Sequence, residues 1–347
     1  MHQPYISVVI IAHRRAYLLR AVQSALKQVV REGEFEVVVA KDFNDPTIEG
    51  ELSGEGARVL TVGDTSPGGK ALAAISACRG EVISFLDDDD EFLPGKLEAV
   101  YKAFEARPSL DYYHNGLIVA SASGKVLGST SGGPRLIRQA EKKKYAGYLS
   151  KVRADFNSSS ISIRKGALDA KLIAEAKYMV DTLYFFSALL RGRDLIVDGR
   201  PLTLFRLHSD QTDRVLSSAA DFRKRRALTF YRYCKAAGAL AATAKGTPYW
   251  GQARELLAKR RLQLSLFAED SPEPLPGECI PSLTDSLLAL KPKPSLSATA
   301  RSAALALAPF APRAARLAYA SRSLLKAEEE VTRSPVKRGE RSQRLVG

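Results

Sequence analysis

The sequence predicts an α/β fold: a mostly parallel twisted sheet flanked by helices, with a helical C-terminal extension. Three observations carry this. Ile6–Ala12 (ISVVIIA) is an unbroken apolar, β-branched run, the pattern of a strand buried on both faces of a parallel sheet. Strand-like and helix-like segments then alternate through the first 120 residues, which implies βαβ units with right-handed crossovers. From about Ser217 the pattern turns helical and basic.

Each element follows from its own residues. Leu18, Leu19, Val22, Ala25, Leu26, Val29 and Val30 recur at spacings of three and four, as on one face of a helix. Phe35–Ala40 and Arg58–Val62 read as the second and third strands. Gly68–Arg79 reads as a helix opened by a Pro-Gly-Gly turn. Glu81–Leu86 is the fourth strand, and Pro94 lies near the start of a helix that runs to about Phe104. Leu110–His114 and Gly116–Ala120 read as short strands, followed by a turn at residues 121–124. Ser158–Ile163 alternates like a half-buried strand. Asp181–Leu190 is a helix with Asp181 as a favourable N-cap, and Pro201–Leu207 is a last strand with its proline at the tolerated first position. Residues 221–242 and 249–268 read as helices. Six prolines within 271–294 mark a linker, 296–327 an Ala/Leu/Arg-rich helix broken near Pro309 and Pro312, and 331–347 a disordered tail. The expected divisions are therefore 1–216, 217–270, 271–295, 296–330 and 331–347.

Composition narrows the function. With 347 residues, 45% hydrophobic and 26% charged, the chain is neither disordered nor fibrous and has material for a sizeable core. No charge-free apolar stretch of ~20 residues occurs, so no membrane-spanning helix is expected. The N-terminus lacks the regions of a signal peptide. Cys78, Cys234 and Cys279 are odd in number and far apart, which argues against a zinc site or a disulfide framework and for a reducing cytoplasm. The formal net charge is +14, and residues 217–347 hold 23 Lys/Arg against 11 Asp/Glu, so the basic excess belongs to the back of the chain. An anionic surface is the partner that such an excess attracts.

The sharpest chemical feature is FLDDDDEF, Phe85 to Phe92. Four adjacent aspartates repel one another unless a cation or donors compensate. They lie at the carboxyl end of an apolar strand, where open α/β sheets bind ligands. A hard cation, Mg2+ or Mn2+, takes one or two carboxylates and completes its shell with substrate phosphates. A solvated acidic turn, with Asp90 capping the next helix, is the bland alternative.

The order SVVIIAHRRAYLLRAVQSALKQ, FEVVVAKDFNDP and GGKALAAISACRGEVISFLDDDDEFLPGKLEAV resembles the family 2 glycosyltransferases of the GT-A fold, over about residues 5–210. The resemblance implies a metal-dependent, inverting transfer of sugar from a nucleotide-diphosphate sugar to a hydroxyl acceptor, such as a polysaccharide or lipid-linked glycan. Asp87 and Asp89 fit the family's DXD positions, Asp87 beside the ribose and metal, Asp89 on the metal. Asp88 occupies the variable middle position. Ala12, His13 and Arg15 stand where the family contacts the base, and Asp42 takes the acidic base-reading role, although AKDFND departs from the usual motif. Gly68-Gly69-Lys70 offers close backbone approach and a charge to the nucleotide. The family's catalytic carboxylate maps to Asp181, flanked by apolar Met179, Val180 and Phe185; it would take the proton from the acceptor hydroxyl. Val180 stands where the family has a further acid. Arg206 and His208, two apart on one strand, match an Arg-x-His segment that would meet the diphosphate.

Two other readings stay open. A nucleotidyltransferase would use the same sheet edge, but no glycine- and lysine-rich loop follows the first strand. A nucleic-acid-binding protein would use the basic back part, but its aromatics (Phe222, Phe230, Tyr231, Tyr233, Tyr249, Trp250, Phe267) sit at helical spacings that suit a core, and no nucleic acid is expected as partner. Basic and apolar residues interleaved through 296–327 suggest a peripheral helix on an anionic membrane at the cytoplasmic face.

Overall fold

The computed structural model describes residues 5–30, 34–207, 219–271, 274–275, 277–290 and 296–319. In chain order the elements are β1 (Ile6–Ala12), α1 (Leu18–Leu26), β2 (Phe35–Lys41), α2 (Pro46–Gly54), β3 (Arg58–Thr61), α3 (Pro67–Ala77), β4 (Val82–Asp87), β5 (Glu91–Phe92), α4 (Lys96–Glu105), β6 (Leu110–Ser121), β7 (Val126–Ser129) and β8 (Pro134–Ile137). They continue with α5 (Ala146–Lys151), β9 (Ile161–Arg164), α6 (Ala170–Ala174), α7 (Val180–Arg191), β10 (Asp194–Leu207), α8 (Ala219–Thr243), α9 (Trp250–Ser265), α10 (Leu283–Ala289), α11 (Leu296–Ala306) and α12 (Pro312–Tyr319).

The sheet runs β3-β2-β1-β4-β9-β6-β10-β5, with β7 beside β6 and β8 beside β10. β1 to β4 are parallel, as their apolar runs and intervening helices require. β9 is antiparallel to both β4 and β6, and β10 is again parallel to β6. The core beneath this sheet gathers Ile6, Val8 and Ile10 of β1, Val37 and Val39 of β2, Leu18 and Val22 of α1, and Leu97, Val100 and Phe104 of α4. The parallel register sets Ala12 beside Lys41 and Ile11 beside Asp87, so three strand ends open on one edge.

Several expectations need revision. α2 has no counterpart in the sequence reading, because it buries only Leu52 and shows no apolar stripe; Asp45, whose side chain accepts the Ile48 N–H, starts it. α1 stops at Leu26, and Val29 is 68% exposed. β6 is one strand rather than two. Ser158–Ser160 forms a 3-10 turn, leaving only Ile161–Arg164 in the strand. β10 begins seven residues before Pro201 and absorbs the proline at a register shift between Asp198 and Thr203.

The chain divides into two compact units, one taking the sheet with Ala239–Trp250 and the other the remaining helical residues. The second unit has its own core of Ala227, Phe230, Cys234, Leu262, Leu264, Phe267, Cys279, Leu305, Ala308 and Ala315. Phe230 and Phe267 stack in it with centroids 5.7 Å apart. Leu305, Ala308 and Ala315 are thus committed to that core, whereas Leu307 (57%) and Phe310 (70%) stand exposed at the proline break between α11 and α12. No helix is long and apolar enough to cross a membrane among the described residues. The expected tail 331–347 and the last part of the expected basic helix, residues 320–327, lie outside the described residues.

Candidate active site

The open edge is built from the ends of β1, β2 and β4 and the first turns of α3 and α7. At its β2 side Lys70, fully buried on α3, donates to the Ala12 carbonyl (3.1 Å) and the Asp42 carboxylate (2.7 Å), and its Nζ lies 2.9 Å from His13 Nε2. His13 Nδ1 lies 2.9 Å from the same Asp42 oxygen. Burial pushes the Asp42 carboxyl up, but the hydrogen bond and charge of Lys70, with His13, outweigh it and hold the group below its usual range. Burial and the Lys70 charge lower His13, against the opposing pull of Asp42 and Asp88. Ala12, His13, Asp42 and Lys70 thus form one cluster. Arg15 does not join it: its guanidinium reaches the Asn44 carbonyl (3.2 Å) and Asp45 (3.2 Å), the residues that lead into α2.

The four aspartates divide into distinct environments. Asp88 is the clasp of the β1 end rather than an idle middle residue. Its carboxylate accepts the His13 N–H (2.6 Å), the Arg14 N–H (2.7 Å) and the Arg14 guanidinium (2.7 Å). Arg14, missed in the sequence reading, also pairs with Asp89 at 2.7 Å. No sequence signal separates Arg14 from Arg15, because only the bend after Ala12 decides which arginine turns inward.

Asp90 is not a helix cap, since α4 starts at Lys96 behind Gly95, whose φ is 81°. It is buried and accepts from Asn157 Nδ2 (2.7 Å), Ser159 Oγ (2.6 Å) and the Arg206 N–H (3.0 Å). Burial and the charge of Asp89 raise its carboxyl to about 7, while those three donors oppose the rise. Ser159 Oγ also accepts the Asp87 N–H at 2.9 Å. Behind it Lys96 is wholly buried and donates to the Ser159 carbonyl (2.5 Å) and to Asn115 (2.8 Å), with the Phe92 ring 4.2 Å away. A buried polar scaffold therefore fixes the acidic turn from below. Asn157 and Ser159 went unread because their partners lie about 70 residues away in sequence.

Asp87 is the half-buried aspartate at the strand end. Burial raises its carboxyl well above the usual range, helped by Asp90, Asp89, Asp181 and Asp88. Asp181, 94 positions further along the chain, is thus among the charges acting on Asp87. Asp181 is in the first turn of α7, not at its cap; the cap is Met179, with φ 55°. The Asp181 carboxylate accepts its neighbour Thr182's N–H at 2.8 Å. The Arg206 guanidinium pairs with Glu91 and lies 5.4 Å from the Tyr17 ring. His208 lies outside the described residues.

Residues 7–152 match the model of glycosyl transferase family 2. An uncharacterised glycosyltransferase of Nostoc is 27% identical over 138 residues, 38% of this chain and 42% of that one. Another, of Methanocaldococcus jannaschii, is 23% identical over 185 residues, 51% of this chain and 63% of that one. The chain thus spans less than two thirds of either relative. Among solved structures, residues 1–349 of S. aureus TarS in complex with UDP-GlcNAc superpose with a TM-score of 0.51 at 15% identity, covering 94% of this chain and 91% of that one. The sheet and its flanking helices have the GT-A fold, and the match to the glycosyl transferase family 2 model falls on the part of the chain that builds β1 to β8.

Proposed function

We propose that the chain transfers a sugar, with inversion, from a nucleotide-diphosphate sugar to a hydroxyl acceptor. The observation that carries this is the His13–Asp42–Lys70 cluster at the sheet edge where β4 ends in the acidic turn of Asp87, a carboxylate on which the charge of Asp181 also acts. In this reading Ala12, His13, Asp42 and Lys70 receive the nucleotide. Asp87 meets the ribose and diphosphate. Asp181 takes the proton from the acceptor hydroxyl as it attacks the anomeric carbon. Asp88 and Arg14 hold the β1 end that carries the base contacts.

The donor set also fits a hard divalent cation, Mg2+ or Mn2+. Asp87 and Asp89 offer carboxylate oxygens, and the like charges around Asp87 favour a cation beside it. Among the described residues no three His, Cys, Asp or Glu side chains could hold a metal ion by themselves, so diphosphate oxygens would have to complete the shell. Such a cation supplies charge stabilisation to the leaving diphosphate. For the acceptor we propose a glycan or lipid-linked glycan met at the cytoplasmic face of an anionic membrane. Exposed Leu307 and Phe310, with exposed Arg301 and Arg313 near them in sequence, support that location.

A screen of UDP-, GDP-, ADP- and dTDP-sugars, with Mn2+ and with EDTA, tests the proposal. UDP-GlcNAc comes first, being the ligand of the TarS complex. Release of nucleoside diphosphate in at least one reaction is the expected result. Release of pyrophosphate from nucleoside triphosphates, with no turnover of any sugar nucleotide, would instead establish a nucleotidyltransferase.

A further inference from the structure

Tyr184 follows Asp181 by one turn of α7 and is completely buried. Its ring stacks on Phe85 of β4, with centroids 3.8 Å apart and planes 5° from parallel. Phe85 and Asp87 are two residues apart on that strand and share a face, so the stack sets the tyrosine on the Asp87 side of the sheet. Asp87 and then Asp181 are the charges that its hydroxyl feels most. Among the described residues Tyr184 Oη has no hydrogen-bond partner. Other buried tyrosines do: Tyr112 donates to the Ala154 carbonyl (2.6 Å) and Tyr113 to Asp198 (2.5 Å). A buried hydroxyl without a partner costs stability, and a phenylalanine would fill the same stack without that cost.

We infer that the Tyr184 hydroxyl is a positioning group for Asp87 that engages only when the sugar nucleotide binds: one Asp87 oxygen then meets the ligand and the other turns to accept from Tyr184, which has no partner among the described residues of the unliganded fold. The inference rests on the donor reading above. A second hydrogen bond of this kind fixes the orientation of a ligating carboxylate. Tyr184 acts through Asp87 and touches no substrate itself.

The test is Tyr184→Phe, which keeps the ring stack and removes one oxygen. Binding of the four sugar nucleotides with Mn2+ is followed by calorimetry, alone and in an Asp87→Asn background, and melting is recorded without ligand. The expected outcome has three parts. Tm is unchanged or higher. Affinity for the donor that wild type binds falls ~10-fold. In the Asp87→Asn background the same substitution costs nothing further. A clear fall in Tm would show that the hydroxyl is bonded within the fold and overturn the inference alone. So would unchanged affinity, or an undiminished loss in the Asp87→Asn background. If wild type binds none of the four, the donor reading fails, and the inference with it.

Discussion

Ser159→Ala is the most informative single perturbation of the acidic turn. Its hydroxyl donates to Asp90 (2.6 Å) and accepts the Asp87 N–H (2.9 Å), in a position with no exposure. The substitution removes one ordinary hydrogen bond, strands a main-chain N–H, and takes one of three donors from a buried carboxyl. A neutral buried bond contributes ~1 kcal/mol and one to a charged group ~2, so the expected loss is about 3 kcal/mol. For a unit of this size that corresponds to a fall in Tm of roughly 6–12 °C. Ser160 supplies the control. It is equally buried, but among the described residues its hydroxyl has no partner, so Ser160→Ala should change Tm little or raise it. Differential scanning calorimetry of both variants decides the matter. Equal melting points would refute the idea that the scaffold beneath the turn holds it, and donor affinity should fall only in the Ser159 variant.

Asp181→Asn should bind donor normally yet transfer ~10²–10⁴ more slowly, the usual worth of a general base; single-turnover assays showing intact transfer would reduce Asp181 to a helix-end residue. Asp89→Ala should lose nearly all activity and its Mn2+-dependent donor binding while keeping its far-ultraviolet spectrum; normal donor binding with Mn2+ would remove Asp89 from the metal role. His114, buried against the Phe156 carbonyl, is lowered by burial to about 4, so the unfolded chain takes up a proton that the folded one refuses. Stability should therefore be intact above about pH 6.5 and fall by up to ~3 kcal/mol as pH drops towards 4; an unaltered acid slope in His114→Gln would contradict this. Leu307→Ser with Phe310→Ser should abolish co-sedimentation of the full chain with liposomes rich in anionic lipid at low salt, and a wild-type chain that stays in the supernatant would end the membrane proposal.

The residues by themselves determined the parallel half of the sheet. Ile6–Ala12, Phe35–Ala40 and Glu81–Leu86 are apolar runs with helical patterns between them, which is the signature of parallel strands covered on both faces. They also determined that chemistry sits after β4, because four adjacent aspartates at a strand end demand compensation. What compensates them was legible only in three dimensions. Arg14 rather than Arg15 turns to Asp88, since one bend after Ala12 selects it. Asn157, Ser159 and the Arg206 main chain reach Asp90 because antiparallel β9 slots between β4 and β6, a pairing that no local pattern encodes. α2 escaped notice because a helix that buries one leucine leaves no periodicity. Periodicity and charge runs record what a residue does with its neighbours in the chain. The partners of a buried polar group come from distant segments, and only their packing together decides which carboxylate is clasped and which faces the opening.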